Sequence, residues 1–379
     1  MDWQQEVVEH RRALHQIPEL GHQEHETQAY LMDALRSLGL RPEPIAGTGV
    51  VVDVEGRTAG RSVALRSEMD GLPLQETTGL PFASRHSGLM HACGHDGHMA
   101  IVLGVARRLA ERGLERGRVR LFFQPAEEKH PGGALDMIRD GVLNGMDSVI
   151  GLHLQSPDAV GTAILHPGPI MANSDRFRIL VQGHGGHASE PESTKDAVLI
   201  GSQIVTQLQT IVSRRVPATE PAVVTCGAFH AGSAANIIAD TAEILGTVRT
   251  LSHSVQSAIA KEIAHMAETT AALYGAAAEV TYTRGYPAVI NDAMVTARWS
   301  AAIQSVVELL EHPPIMGGED FSHYLHRIPG AFLLLGCRPD EGFYPHHSPH
   351  FVIDERALPI GVEVLWQGAL AMTDNESAG

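Results

Sequence analysis

A chain of 379 residues exceeds the comfortable size of one hydrophobic core, which predicts two domains. Hydrophobic residues make up 44% and charged residues 19%, as in an ordinary globular protein, and a net charge of -16 argues against a general nucleic-acid surface. No run reaches the apolar length of a membrane span, and the start, MDWQQEVVEHRRALHQ, lacks an apolar h-region, which predicts no signal peptide. The odd set Cys93, Cys226 and Cys337 fits reduced thiols in a cytoplasm better than a disulfide framework.

In chain order, 5–16 and 24–38 have the apolar spacing of amphipathic helices, the second ending at Gly39. Val50–Val54 and Val63–Arg66 read as strands. A helix over 97–112 carries Met99, Val102, Val105, Ala106 and Leu109 on one face. Arg118–Gln124 and Ser148–His153 are short apolar strands, and their alternation with helices predicts βαβ units and a largely parallel sheet. From residue 174 the texture changes. Arg176–Gln182 alternates as a half-buried strand, followed by a helix over 195–214, strands at 222–228 and 240–249, a helix over 253–273 and a strand at 278–284. That order belongs to a ferredoxin-like unit. The chain then returns to a helix over 292–311, a glycine loop at 317–318, a strand at 331–336 and a final helix. The expectation is an α/β protein of two domains. A catalytic domain with a mostly parallel sheet is built from 1–173 and 287–379, and a ferredoxin-like α+β domain, 174–286, is inserted into it.

The chemistry concentrates in His91-Ala92-Cys93-Gly94-His95-Asp96-Gly97-His98, joined by Gln124-Pro125-Ala126-Glu127-Glu128, Gly151-Leu152-His153-Leu154 and His346-His347-Ser348-Pro349. Together they supply a thiolate, imidazoles and carboxylates, the donors that a borderline divalent cation takes. Cys93 and His95 stand two apart in a loop, close enough to serve neighbouring cations, and a thiolate can bridge two. Taken alone, a packed cysteine beside a capping histidine explains them equally well. Glu127 and Glu128 follow an apolar strand with a proline stop. Adjacent carboxylates point apart, so one can bind metal while the other acts as a base. His153 ends an apolar strand, where an unpaired imidazole is costly. Among His346, His347 and His350 the spacing does not choose. His98 shares a helix face with His95 and suits a packed, hydrogen-bonded role better than ligation. Asp70 and Asp96 are candidates to orient ligands. Gly183-His184-Gly185-Gly186-His187 and Gly317-Gly318-Glu319-Asp320 read by themselves as tight turns, and neither carries a phosphate-loop lysine.

Nine blocks in order, RRALHQIPELGHQEHET, EMDGLPLQE, HACGHDGHMA, FFQPAEE, GLHL, GHGGHAS, GTVRTL, GGEDFS and HHSPHF, resemble the metallopeptidase-20 family. They are most similar to its aminoacylase, hippurate hydrolase and auxin-conjugate amidohydrolase branch. The resemblance implies two divalent cations per chain, zinc or manganese, with cobalt or nickel as further candidates. It implies Cys93 as bridge, His95 and His153 completing one site, Glu128 and His347 the other, and Glu127 as base. It further implies that the inserted domain is a lid that pairs subunits into a homodimer or higher homo-oligomer. His187 would reach across to stabilise the oxyanion, and Asn236 and Arg249 would grip a substrate carboxylate. The chain departs from the family pattern at Glu68, where aspartate is usual, at His184 in place of lysine, and at Asn173-Ser174 in place of two alanines.

The reading is a metal-dependent amidohydrolase acting on a small N-acyl amino acid, with no nucleic-acid or membrane partner. A dipeptidase or carboxypeptidase on the same scaffold is the alternative. A pocket that binds without turnover would lack a ligand or the base, and all six positions are present. A Cys93 nucleophile is the remaining option, and it would survive chelation.

Overall fold

Four strands run parallel at the centre of an eight-stranded sheet in the computed structural model, which describes residues 2–374. The order across the sheet is Glu43–Ile45, Gly49–Glu55, Arg116–Gln124, Thr58–Glu68, Ser148–Ala159, Gly330–Arg338, Thr162–Ile164 and Glu308–Leu309. Arg116–Gln124, Thr58–Glu68, Ser148–Ala159 and Gly330–Arg338 are the parallel set. Their apolar runs are buried nearly end to end, as strands covered on both faces require. The helix His95–Arg112 packs against the helices Trp3–His15 and Ala357–Thr373 and against the strand Thr58–Glu68. It starts at Gly94 in the left-handed region (φ 94°), and its first four residues, His95 to His98, are all buried.

The chain divides into two compact units. The larger takes in residues up to Ile170, Ile290–Pro313 and the chain from Asp320 onward; the smaller takes in Met171–Val289 and Pro314–Glu319. The smaller holds a four-stranded antiparallel sheet in the order Ala222–Ala231, Thr241–Thr250, Asp175–Gln182, Ala277–Thr283. Helices Ala197–Arg214 and His253–Leu273 complete the strand-helix-strand-strand-helix-strand order. Asp196 caps the first helix by accepting from Val198 N, and Ser252 caps the second by accepting from Val255 N. Each unit has its own hydrophobic core.

Two of the differences from expectation concern where elements end. The helix expected over 292–311 stops at Ile303, and Glu308–Leu309 pairs with Thr162–Ile164 as a short parallel strand. Val307, from the β-branched pair Val306-Val307, is drawn into the core there, which overrides helical periodicity. His153, expected to end its strand, lies inside the longer Ser148–Ala159. On one side that strand still pairs, His153 opposite Leu334. On the other, the ladder to Thr58–Glu68 stops at Gly151 opposite Arg66. One edge is therefore open at the histidine.

Candidate metal centre

Donors from loops beyond two strand ends, from the open edge of Ser148–Ala159 and from the 339–350 loop converge in the larger unit, where open α/β sheets place their ligand sites. Sγ of Cys93 and ring nitrogens of His95 and His153 lie within 4.8 Å of one another, and so do donor atoms of Cys93, Glu128 and His347. The two sets share Cys93. Cys93 Sγ is 3.4 Å from His153 Nε2, and His347 Nε2 is 2.9 Å from Glu128 Oε1. Donor atoms of Glu127, His95 and Glu128 also lie within 4.8 Å of one another.

The hydrogen bonds around the two candidate histidines His95 and His153 leave one ring nitrogen of each without a backbone partner. His95 Nδ1 donates to the carbonyl of Asp70 at 2.8 Å, and its buried Nε2 has no hydrogen-bond partner. His153 Nδ1 donates to the carbonyl of Leu154 at 2.8 Å, which leaves Nε2 toward Cys93. Oε1 of Glu128 is buried and lacks hydrogen-bond geometry despite its closeness to His347. An imidazole fixed through one nitrogen and bare at the other is the arrangement of a metal-ligating histidine. One sulfur, three ring nitrogens and a carboxylate fit a borderline divalent cation.

Electrostatics favour positive charge here. Burial alone would lower His95, yet Asp70, Glu68 and Glu128 outweigh it and push it up to about 10. Burial raises the Cys93 thiol well above its ordinary value, and the Glu128 and Glu127 carboxylates raise it further. A thiol held that high is a poor nucleophile by itself, and a cation beside it would reverse the balance. Burial, with His98 and His346 nearby, holds His153 well below its usual range, so it offers a lone pair.

Of the three late histidines, His347 faces Glu128; His346 Nε2 donates to Leu154 O at 2.9 Å, and His350 pairs with Thr77. His347 adopts φ 63°, and its N–H donates to Ala92 O beside Cys93. His98 uses both nitrogens. Nδ1 donates to Glu68 Oε2 at 2.9 Å, and Nε2 accepts from Leu154 N at 2.9 Å, replacing the missing strand partner at the open edge. Asp70 Oδ2 accepts from Glu128 N at 2.9 Å, so this carboxylate and its carbonyl orient two of the donors. Asp96 sits behind the cluster, accepting from Arg11 Nε and His15 Nδ1 at 2.8 Å each.

His187, Asn236 and Arg249 lie in the smaller unit. His187 is exposed, with Nδ1 2.6 Å from Ser189 Oγ, and its short strand Gly186–His187 pairs with Ile237–Ile238 next to Asn236. Half-buried Arg249 donates to Thr247 Oγ1 at 2.9 Å. Asn173 serves its own unit: Oδ1 accepts from Thr250 N at 2.5 Å and from Thr250 Oγ1 at 2.6 Å.

Sequence reasoning missed a buried polar network under the site. Arg66 donates to Glu68, to Asp320 Oδ1 at 2.7 Å and to Gln124 Oε1 at 3.0 Å, and Tyr324 OH also donates to Gln124 Oε1 at 2.9 Å. Burial would raise Glu68, but Arg66 and His98 hold it well below the usual carboxylate range. Glu68 thus joins Arg66 to His98. Polar residues at the ends of otherwise apolar strands, RSE and FFQ, were the available signal.

The peptidase family M20/M25/M40 model matches residues 64–370. The chain belongs to that family. It is a metal-dependent amidohydrolase, a hydrolase of C–N bonds. The enzyme is similar to N-acetyl-L-cysteine deacetylase of Bacillus subtilis, with 40% identity over 98% of this chain and 89% of that protein. It is 39% identical to thermostable carboxypeptidase 1 of Saccharolobus solfataricus, over 95% of this chain and 93% of that protein. The crystal structure of YXEP from Bacillus subtilis, described as a dinuclear metal-binding M20 peptidase, superposes with a TM-score of 0.86 at 35% identity, covering 98% of each chain. Among the described residues no helix of the amidohydrolase is long and apolar enough to cross a membrane.

Proposed function

We propose that this amidohydrolase cleaves the amide of N-acyl amino acids at a dinuclear centre, in the cytoplasm, with Glu127 as the base. The observation that carries the reading is the pair of donor sets sharing Cys93, with the buried Glu127 beside them. Cys93, His95 and His153 would hold one cation, and Cys93, Glu128 and His347 the other. Two divalent cations, zinc or manganese, would polarise the scissile carbonyl and lower the pKa of water from about 15.7 to near 7. Glu127 takes the proton of the attacking water and passes it to the leaving amine. The N-acyl substrate class is supported by the deacetylase relative, and the dinuclear count by the YXEP neighbour. Metal-reconstituted enzyme assayed against N-acetyl, N-benzoyl and indole-acetyl amino acids tests it. Release of free amino acid from at least one is expected, and inertness toward all three classes overturns the reading. The carboxypeptidase relative favours a second reading on the same centre, peptide cleavage from the carboxyl end. Mass-resolved products from matched peptides and N-acyl amino acids separate the two.

Arg249 is assigned to the substrate carboxylate, since a guanidinium holds a carboxylate bidentately. Arg249→Ala should therefore weaken N-acyl amino acids far more than their amides or esters. An equal loss on both would reject the role. Asn236 is assigned to the same carboxylate.

The inserted domain, 174–286, is read as a lid that pairs subunits, with His187 supporting the oxyanion in a neighbouring chain. His187→Ala and Glu127→Gln chains should each be nearly inactive. Mixed dimers should regain activity at the one site that combines intact Glu127 with intact His187. Absence of recovery after verified subunit exchange would place the action of His187 within its own chain.

A further inference from the structure

Glu24 supplies no donor to the centre, yet it is fully buried. It stands at the N-cap of the helix His25–Ser37, but its side chain does not cap that helix. Glu19 serves there instead, accepting from Glu26 N at 3.1 Å and Thr27 N at 2.8 Å. The Glu24 carboxylate turns the other way. Oε1 accepts from Ala126 N at 2.8 Å, across 102 residues of sequence, and Oε2 accepts from Thr48 Oγ1 at 2.6 Å. Among the described residues no cation pairs with Glu24. Burying an unpaired carboxylate is expensive, so its place calls for a reason.

Ala126 supplies one. It is buried, with φ 54°, in the left-handed region that side chains other than glycine enter at a cost. The next residue is Glu127. The turn is clamped on both sides of it: Glu24 holds the Ala126 N–H, and Asp70 Oδ2 holds the Glu128 N–H at 2.9 Å. Gly133 N also donates to Ala126 O at 3.0 Å. Gly21 packs so closely that a Cβ there would lie 2.8 Å from the Ala126 Cβ. The segment from Gly21 to Glu24 is thus fitted to the backbone of this one turn.

We infer that Glu24 is a positioning residue for the base: its carboxylate holds Ala126 in the left-handed conformation that aims the Glu127 carboxylate. The inference rests on the reading of Glu127 as base and goes beyond it, because it gives the N-terminal segment a part in the reaction. A side chain displaced by about 1 Å can cost on the order of 10²-fold in rate. Glu24→Ala should therefore lower kcat on the order of 10²-fold, while KM and metal content by elemental analysis stay unchanged. Glu24→Gln should restore most of the rate, since its amide oxygen accepts from Ala126 and its amide nitrogen donates to Thr48. Adding Ala126→Gly to Glu24→Ala should also recover rate, because glycine adopts the turn without the clamp. A merely structural role would give no such rescue. If Glu24→Ala does not yield folded protein, Glu24→Asp, one methylene short, carries the same test with the same rescue.

Three results would overturn the inference: an unchanged kcat in Glu24→Ala, no gain from Ala126→Gly in that background, or a fall in metal content that accounts for the lost rate. Glu127→Gln assayed in parallel separates the two ideas. If it is inactive while Glu24→Ala is normal, only the positioning role fails; if it is active, the base assignment fails and takes the positioning role with it.

Discussion

Glu127→Gln should retain its metal and lose turnover by about 10²–10⁴-fold, the range for removal of a general base. That corresponds to about 2.7–5.4 kcal/mol of barrier at 1.36 kcal/mol per decade. The glutamine keeps shape and volume but cannot take a proton. Glu127 is buried, and its carboxylate lies within 4.8 Å of donor atoms of His95 and Glu128, beside the proposed centre. Two measurements are needed together. Elemental analysis should match the wild type, and single-turnover kinetics should show the loss in the chemical step. A near-normal kcat would remove Glu127 from the role. A loss of metal parallel to the loss of rate would make it a ligand instead.

Cys93→Ala should strip more metal than any other single ligand change. In the proposed centre the Cys93 sulfur belongs to both donor sets, whereas His153 and His347 each belong to one. Removing a shared donor weakens both sites together. The fall in affinity should therefore exceed the roughly 10–100-fold that loss of an outer hydrogen-bond partner costs. His347→Ala is the comparison, expected to weaken one site and spare the other. Titration with manganese or zinc, followed by elemental analysis, reads both variants. Equal stoichiometry and affinity in Cys93→Ala and wild type would reduce Cys93 to a packed thiol, which its burial would equally explain.

Much of the architecture was legible because period and punctuation are local. Apolar strands alternating with amphipathic helices gave the parallel sheet, and strict alternation in Arg176–Gln182 marked the change to an antiparallel one. The end of the helix beginning at Ala293 was not legible, because burial of Val307 and strand pairing with Thr162–Ile164 outweigh helical spacing. The types of donor could be read from the motifs, since thiol, imidazole and carboxylate together suit a borderline divalent cation, but the choice of candidate residues rested on the family resemblance.

Spacing did not choose which late histidine faces Glu128; the family resemblance pointed to His347, and the tertiary structure turns its ring to that carboxylate. His346, His347 and His350 are equivalent in a string of letters, and the hydrogen bond from His347 N to Ala92 O selects one. His98 was expected to pack and hydrogen-bond, and the structure supplies the partners that spacing could not: Glu68 on one nitrogen and, where the sheet edge beyond Gly151 opens, the Leu154 N–H on the other. Glu24 and Ala126 are 102 residues apart, and no local rule links a helix cap to a turn after a distant strand. The amino-acid sequence thus determined the donor types, most of the strand-helix order and the family. Folding decided which lone pairs point inward, because that depends on which backbone N–H and C=O groups remain to be satisfied once the sheet has formed.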